Sequence, residues 1–343
     1  MNRKLAIVFF LSFLLFCDSS KRFETFKYTH FALGTVIDIT LLVESKNADR
    51  VSCEDTAKAI ARKVFGLFDK IDSTFYEGNR KSKIYQFNTN LSENRFLSVS
   101  YNLLSLIKRG IEISRKTDSL FDITVGTYLP LYPFDKERKY SPNIDSLRFL
   151  SGFTGFQNIL LDTENYRIAR KNGYLRLSMG GIAKGYAVDK AINLVSKYSI
   201  IKGAIVNAGG DMGLLPRADG KPWRIGIRHP RKPGELLGVV EIKKGAIATS
   251  GDYEKFYILN GTRYHHILNP KTGLPAYKCQ SVTVIAPNAE TADALATGLF
   301  VAGIRKGKKI LERFPGCHAL WVDSLGTVYT SKGFNKFLSE KSW

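Results

Sequence analysis

Cysteine is scarce in this chain: of four, Cys53, Cys279 and Cys317 lie beyond the first segment at wide, irregular spacings. An odd number so placed indicates neither a disulfide framework nor a zinc site. Nucleotide signatures are missing as well. No GxGxxG and no GxxxxGK[ST] pattern occurs, so Rossmann and P-loop readings lack support. Nothing is collagenous or of low complexity. Negative charge is under-represented, with 31 acidic against 51 basic residues and a formal net charge of +20. Such a balance suits nucleic acid, anionic lipid or an acidic small molecule. The basic residues are scattered, however. Arg305, Lys306, Lys308 and Lys309 form a short isolated cluster, and no aromatic-interleaved basic face or nucleic-acid module is present. A solvated basic surface is the plainer reading, a polyanionic cofactor the second.

Long apolar runs are also absent, apart from one at the start. There, Arg3 and Lys4 precede a continuous apolar stretch from Leu5 to Phe16, the layout of an export signal and too short for a comfortable transmembrane span. Residues 1–17 end in Leu14-Leu15-Phe16-Cys17, which resembles a bacterial lipoprotein box with Cys17 as the lipidated residue. Phe16 replaces the usual small residue, so an uncleaved signal anchor is the alternative. Either way the folded part, residues 28–343 after a polar linker at 18–27, is expected outside the cytoplasmic membrane, anchored to the inner membrane as a lipoprotein.

The length of 343 residues allows about two domains or one large one. Alternation over Thr35–Leu41 predicts a half-buried strand entered through Leu33-Gly34-Thr35. Ala57, Ile60, Ala61, Val64, Phe65, Phe68 and Ile71 recur on one face of a helix over Asp55–Asp72. A polar segment at Ser82–Asn88 and a second amphipathic helix over about Ser98–Lys116 follow. Residues 130–145 read as loop, and Asn158–Leu161 and Tyr174–Leu177 as strands. Beyond these come an apolar strand at Ala204–Ala208 and further strands at Trp223–Ile227, Val239–Ile242 and Ala246–Thr249. The fold class is therefore α+β, with an N-terminal part that contains helices and a strand-rich C-terminal part.

The stretch that organises the chain is Ser178–Asp189, SMGGIAKGYAVD, in which paired glycines run into an amphipathic helix carrying Lys184 near its start. Glycines let backbone approach a ligand, and the first helical amides are donors suited to an anion. A glycine-rich turn that only permits tight packing is the plainer alternative. Asn207–Asp211 repeats the theme of a strand that breaks at two glycines before an acid. Asp122, in Phe121-Asp122-Ile123-Thr124-Val125-Gly126, is open to a functional role or to capping the following turn. His265 and His266 on extended chain face opposite sides, so at most one faces a given pocket. Asp293 and Thr297 stand four residues apart on one helical face, where a carboxylate and a hydroxyl suit a hard cation such as Mg²⁺. The alternative is that Asp293 caps its helix and Thr297 packs.

Taken together, Leu33–Thr35, Phe121–Gly126, Gly180–Asp189, Asn207–Asp211, Thr249–Tyr253, His266–Gly273 and Asp293–Thr297 resemble the ApbE family of FAD:protein FMN transferases, over about His30 to Phe300. The resemblance implies an α+β enzyme that binds FAD as substrate, uses Mg²⁺ and moves FMN onto a Ser or Thr of an acceptor protein with loss of AMP. Typical acceptors are subunits of membrane redox complexes or extracytoplasmic flavoproteins. It further implies metal binding by Asp293 and Thr297 with a backbone carbonyl near Gly181. Leu33, Phe75, Phe121, Asp122, Ser178, Lys184 and Ile267 would line the FAD site, and His266 is the candidate for proton transfer. Within the resemblance, Ser178 stands where many relatives carry Asp, and Leu33 replaces the usual Met. Phe75 lies near a position linked to the choice between transfer and hydrolysis. Mg²⁺-dependent FAD hydrolysis to FMN and AMP, and a non-catalytic FAD-binding lipoprotein, are the competing expectations.

Overall fold

In the computed structural model, residues 22–45, 50–90, 92–134, 137 and 139–343 are described. The export segment and Cys17 lie outside them. Chain order begins with a long hairpin, β1 (Arg22–Ala32) and β2 (Thr35–Ser45), followed by α1 (Arg50–Phe75), α2 (Lys83–Asn90), β3 (Leu97–Ser98) and α3 (Tyr101–Lys116). A short 3₁₀ turn at Ile123–Thr127 precedes α4 (Ile144–Ser151), β4 (Ile159–Asp162) and β5 (Arg167–Arg170). The chain continues through α5 (Ala183–Val195), β6 (Ile201–Ala208), β7 (Asp211–Leu215), β8 (Trp223–Arg228), β9 (Leu236–Ile242) and β10 (Gly245–Gly251). It ends with β11 (Phe256–Leu259), β12 (Thr262–His265), β13 (Cys279–Ala286), α6 (Ala289–Leu311), β14 (His318–Asp323), β15 (Val328–Thr330) and β16 (Leu338–Lys341).

One eight-stranded antiparallel sheet, in the order β1-β2-β6-β7-β10-β13-β14-β15, carries the molecule. Its two faces bury different partners because successive side chains of a strand alternate sides. Ile37, Ile39, Leu41 and Val43 of β2 join the core made with α1, α5 and α6, whereas Leu42 joins a second core. That second core is closed by Trp223, Ile225 and Ile227 of β8 and Leu237, Val240 and Ile242 of β9, part of the three-stranded sheet β16-β9-β8. Covered on both sides, β13 is buried at every residue, the polar side chains of Gln280, Ser281 and Thr283 included.

The α+β class and the strand-rich C-terminal part are as expected. Helix α1 buries the anticipated face, but runs three residues further to Phe75, and Phe65 is only partly buried, stacking on His30 at 4.8 Å. Two expectations are corrected. Arg22–Lys27, read as linker, belong to β1, where pairing with β2 extends from Arg22↔Ser45 to Ala32↔Thr35. Tyr174–Leu177 is not a strand. Its backbone groups are met by side chains: Leu175 N donates to Asn172 Oδ1 at 2.9 Å, Arg176 N to Thr127 Oγ1 at 3.1 Å and Leu177 N to Asn88 Oδ1 at 2.8 Å. The adjacent Asn172 and polar side chains from two distant segments thus replace a ladder, which local alternation cannot reveal.

Candidate active site

The glycine loop and α5 meet the N-terminal half of α6. A Cβ on Gly185 would lie 2.2 Å from the Ala289 carbonyl oxygen, so glycine is what allows the two helices to touch. At this contact Asp189 accepts hydrogen bonds from Ala289 N (2.7 Å) and Glu290 N (2.9 Å), completing the start of α6 alongside the Asn288 cap. Burial pushes the Asp189 carboxyl up to about 6, against these amides and the nearby Arg109. Asp189 therefore fastens one helix to the other. The expectation that the first amides of α5 are unpaired is corrected at two positions. Ala183 N donates to the Met179 carbonyl at 2.8 Å, and Gly185 N to Asp293 Oδ2 at 3.1 Å.

Lys184 is the centre of the site. Its Nζ donates to the Gly180 carbonyl at 2.7 Å, lies 3.0 Å from Asp211 Oδ2 and is 3.4 Å from both oxygens of Asp293. Both acids are 3 % exposed. Burial would lower the lysine's pKa, but the two carboxylates overcome it and hold the ammonium charged. Burial, with the repulsion of Asp293, pushes Asp211 up to about 7, while Lys184 opposes the shift. Asp293 is raised chiefly by burial, partly offset by Lys184 and the Gly185 amide.

Asp211 belongs to the second glycine motif, yet its partnership with Lys184 escaped the sequence reading. The signal was a single acid directly after a glycine pair. Its position follows from β6 ending beside the Leu33–Gly34 turn. Gly209 N donates to the Val36 carbonyl at 3.1 Å, and Gly209 is pressed against Thr35. Leu33 adopts a left-handed φ of 53°, its amide held by Asp72 Oδ1 at 2.8 Å and its side chain buried.

Thr297 faces the same space as Asp293, one turn later on α6. Its Oγ1 is 3.2 Å from Ser250 Oγ and 3.2 Å from where a Cβ on Gly181 would stand. Phe121 lies over this point, its ring edge 3.2 Å from the same Gly181 position. Among the described residues no three His, Cys, Asp or Glu side chains form a metal cluster. The donors available for a cation are instead hydroxyls, carbonyls and two carboxylates. The set fits Mg²⁺ in chemical kind: all donors are hard oxygens, among them the buried carboxylates of Asp211 and Asp293.

The remaining expected residues divide. Ser178 joins the loop, its Oγ donating to Glu77 Oε1 at 2.5 Å. Phe75 is buried with its ring 5.5 Å from that of Tyr186, a packing contact. Asp122 takes the capping role: it accepts from Thr124 N (2.9 Å), Thr124 Oγ1 (2.7 Å) and Phe156 N (3.0 Å), and burial raises its pKa. Ile267 is buried, its carbonyl accepting from Ala276 N at 3.0 Å.

The histidines separate as the extended chain requires. His265 is buried between Tyr277 and Phe300, its Nδ1 without a partner among the described residues. His266 is half-buried with Nδ1 3.2 Å from the Lys255 carbonyl. A carbonyl only accepts, so Nδ1 carries the proton and Nε2 is left as the acceptor. Burial first, then the neighbouring His265, Lys184 and Lys255, pushes His266 down to about 4 against the Lys255 carbonyl, so it is neutral near pH 7.

Residues 33–321 match the ApbE family model. A Vibrio cholerae protein named FAD:protein FMN transferase is 29% identical over 341 residues, covering 97% of this chain and 99% of its own length. The Escherichia coli K12 protein of the same name is 31% identical over 256 residues, 71% of this chain and 70% of its own. The crystal structure of the ApbE protein of Thermotoga maritima superposes with a TM-score of 0.81 at 34% identity, covering 92% of this chain and 99% of that one. With a family match that runs from the Leu33 turn through the Lys184 centre to β14, this chain belongs to the ApbE family.

Proposed function

We propose that this protein transfers FMN from FAD to a Ser or Thr hydroxyl of an acceptor protein, releasing AMP, in a Mg²⁺-dependent reaction. The observation that carries the reading is the convergence of Lys184, Asp211, Asp293, Thr297 and Ser250 on the glycine loop, in a chain whose relatives bear the name of that activity. One ammonium among buried oxygen donors suits a diphosphate held together with a divalent cation. Asp293 and Thr297, with the backbone carbonyl at Gly181, would hold Mg²⁺. When bound, it offsets the charge of the diphosphate and of the departing AMP oxygen.

The chain's own groups do the rest. Lys184 orients the diphosphate. His266 Nε2, neutral near pH 7, takes the proton of the attacking hydroxyl. A bond forms from that hydroxyl oxygen to the FMN phosphorus, while the bond from this phosphorus to the bridging oxygen breaks and AMP leaves with its electron pair. The acceptor is a protein outside the cytoplasm or a membrane redox complex subunit. This enzyme is proposed to reach it from a lipid anchor on Cys17. Cys17→Ser should then release the protein from inner membranes or block its processing; unchanged retention and precursor size would favour the uncleaved signal anchor. No described helix is long and apolar enough to cross a membrane.

Incubation with FAD, Mg²⁺ and an acceptor tests the activity. Covalent FMN on the acceptor with stoichiometric AMP is the expected result. Free FMN with AMP would make it a hydrolase, and intact FAD a binding protein.

A further inference from the structure

We propose that Glu77 is a ligand-reading residue of this site, whose carboxylate accepts hydrogen bonds from an uncharged, donor-bearing part of the flavin nucleotide, either sugar hydroxyls or a ring N–H. The proposal rests on the flavin-nucleotide reading above and extends it to a residue that carries no motif. Glu77 lies just past the end of α1, and the glycine loop holds its carboxylate. Ser178 Oγ donates to Oε1 at 2.5 Å and Met179 N to Oε2 at 3.3 Å. These donors immediately precede Gly180, whose Cβ position is 3.9 Å from Oε1. An acid 101 residues away in sequence is thus fixed at the edge of the loop that organises the site.

The frame around it is built on both sides. Asp72 accepts from Leu33 N at 2.8 Å through Oδ1 and from Asn79 Nδ2 at 2.8 Å through Oδ2, and the Tyr76 hydroxyl lies 3.0 Å from the Cβ position of Gly34. Residues 72–79 therefore tie the Leu33–Gly34 turn to the glycine loop, with Glu77 at the joint.

Among the described residues no Lys, Arg or His forms an ion pair with Glu77, and the side chain is half-buried. Its two oxygens offer about four acceptor positions, of which the protein fills two. A carboxylate repels phosphate, so its open positions do not serve the diphosphate, which belongs with Lys184. They suit neutral donors, as a structural cap alone would not require. Ser178 contributes by aiming this carboxylate, not by supplying one.

The test is binding of FAD, FMN and ADP, with Mg²⁺ present, to the full chain and its Glu77→Gln and Glu77→Ala variants, alongside thermal melting. Glu77→Gln should weaken FAD by about tenfold, the loss of a charge-assisted hydrogen bond. The same loss should appear for only one of the half-ligands: FMN if the flavin and ribityl donors are read, ADP if the adenosine donors are. Equal affinity of wild type and Glu77→Gln for all three would overturn the proposal. So would a uniform loss across all three ligands that tracks a lowered melting temperature, since that is the mark of a scaffold residue. Failure of the wild type itself to bind FAD would instead overturn the flavin reading, and this one with it.

Discussion

Lys184→Met keeps the length of the side chain and removes its charge, and the structure turns this substitution into a test of stability as well as binding. The ammonium is the only cation paired with Asp211 and Asp293 among the described residues, at 3.0 and 3.4 Å. Both acids are 3 % exposed, so neither can turn to water without moving the loop. Removing one partner of a buried ion cluster costs about 3–5 kcal/mol, because the remaining charges stay desolvated. For a chain of 343 residues, with about 2.1 cal/mol/K of unfolding entropy per residue, that corresponds to a melting temperature lower by roughly 4–7 °C. Part of the loss is avoidable: Lys184 holds the Asp211 carboxyl down against burial and Asp293, so without it this group protonates more readily, and the variant should be less impaired at pH 6 than at pH 8. Mg²⁺ should restore more stability to the variant than it adds to the wild type, since the cation would replace the missing charge. Melting curves at both pH values, with and without Mg²⁺, check this, and FAD titration follows the binding side. A variant that melts like the wild type at pH 8 without Mg²⁺ would refute the view of Lys184 as counter-ion to both acids.

Three further outcomes are expected. Asp293→Ala should abolish AMP release. Thr297→Val, nearly isosteric, should raise the Mg²⁺ concentration needed while melting close to wild type; full Mg²⁺-dependent activity in either variant would remove both residues from the cation site. Gly185→Ala drives a methyl against the Ala289 carbonyl, a backbone atom 2.2 Å away, and should cost about 1–3 kcal/mol with weakened FAD binding; an unchanged melting temperature would mean the helices part freely. Acidification supplies the third. Burial holds His265 at about 4 against an ordinary 6.5, so the unfolded chain binds the extra proton, and about 3 kcal/mol of stability is lost as pH falls from 6.5 to 4. Asp189, raised to about 6, works in the opposite sense, losing stability as pH rises from about 4 to 6. His266, also held at about 4, adds a loss of the same sign, so His265→Phe should reduce the loss on acidification without abolishing it, and an unchanged pH profile of melting would show that His265 is not a source of it.

Local pattern determined a good deal of this protein. The 3.6-residue recurrence of Ala57, Ile60, Ala61, Val64 and Phe68 places α1, and the small residues after Lys184 place α5 over Ala183–Val195, because a helix shows its buried stripe within its own sequence. Spacing put Asp293 and Thr297 on one helical face; that they lie beside Gly181 and Lys184, as the resemblance implied, is a matter of how α5 and α6 pack. Alternation in β2 likewise marked a strand, but not that Leu42 enters a core separate from that of Ile37, Ile39, Leu41 and Val43. What only the tertiary structure decided are the partnerships across the chain. Lys184 and Asp293 are 109 residues apart, and Asp211 reaches the same ammonium because β6 and β7 turn beside the hairpin of β1 and β2. Asp122 and Asp189, which look alike in sequence as acids inside motifs, become a cap for a 3₁₀ turn and a fastening for α6. Ser178 becomes a donor to Glu77, a residue that no motif contains. A carboxylate's role depends on which donors and charges surround it once water is removed, and those neighbours are set by the packing of distant segments rather than by spacing along the chain.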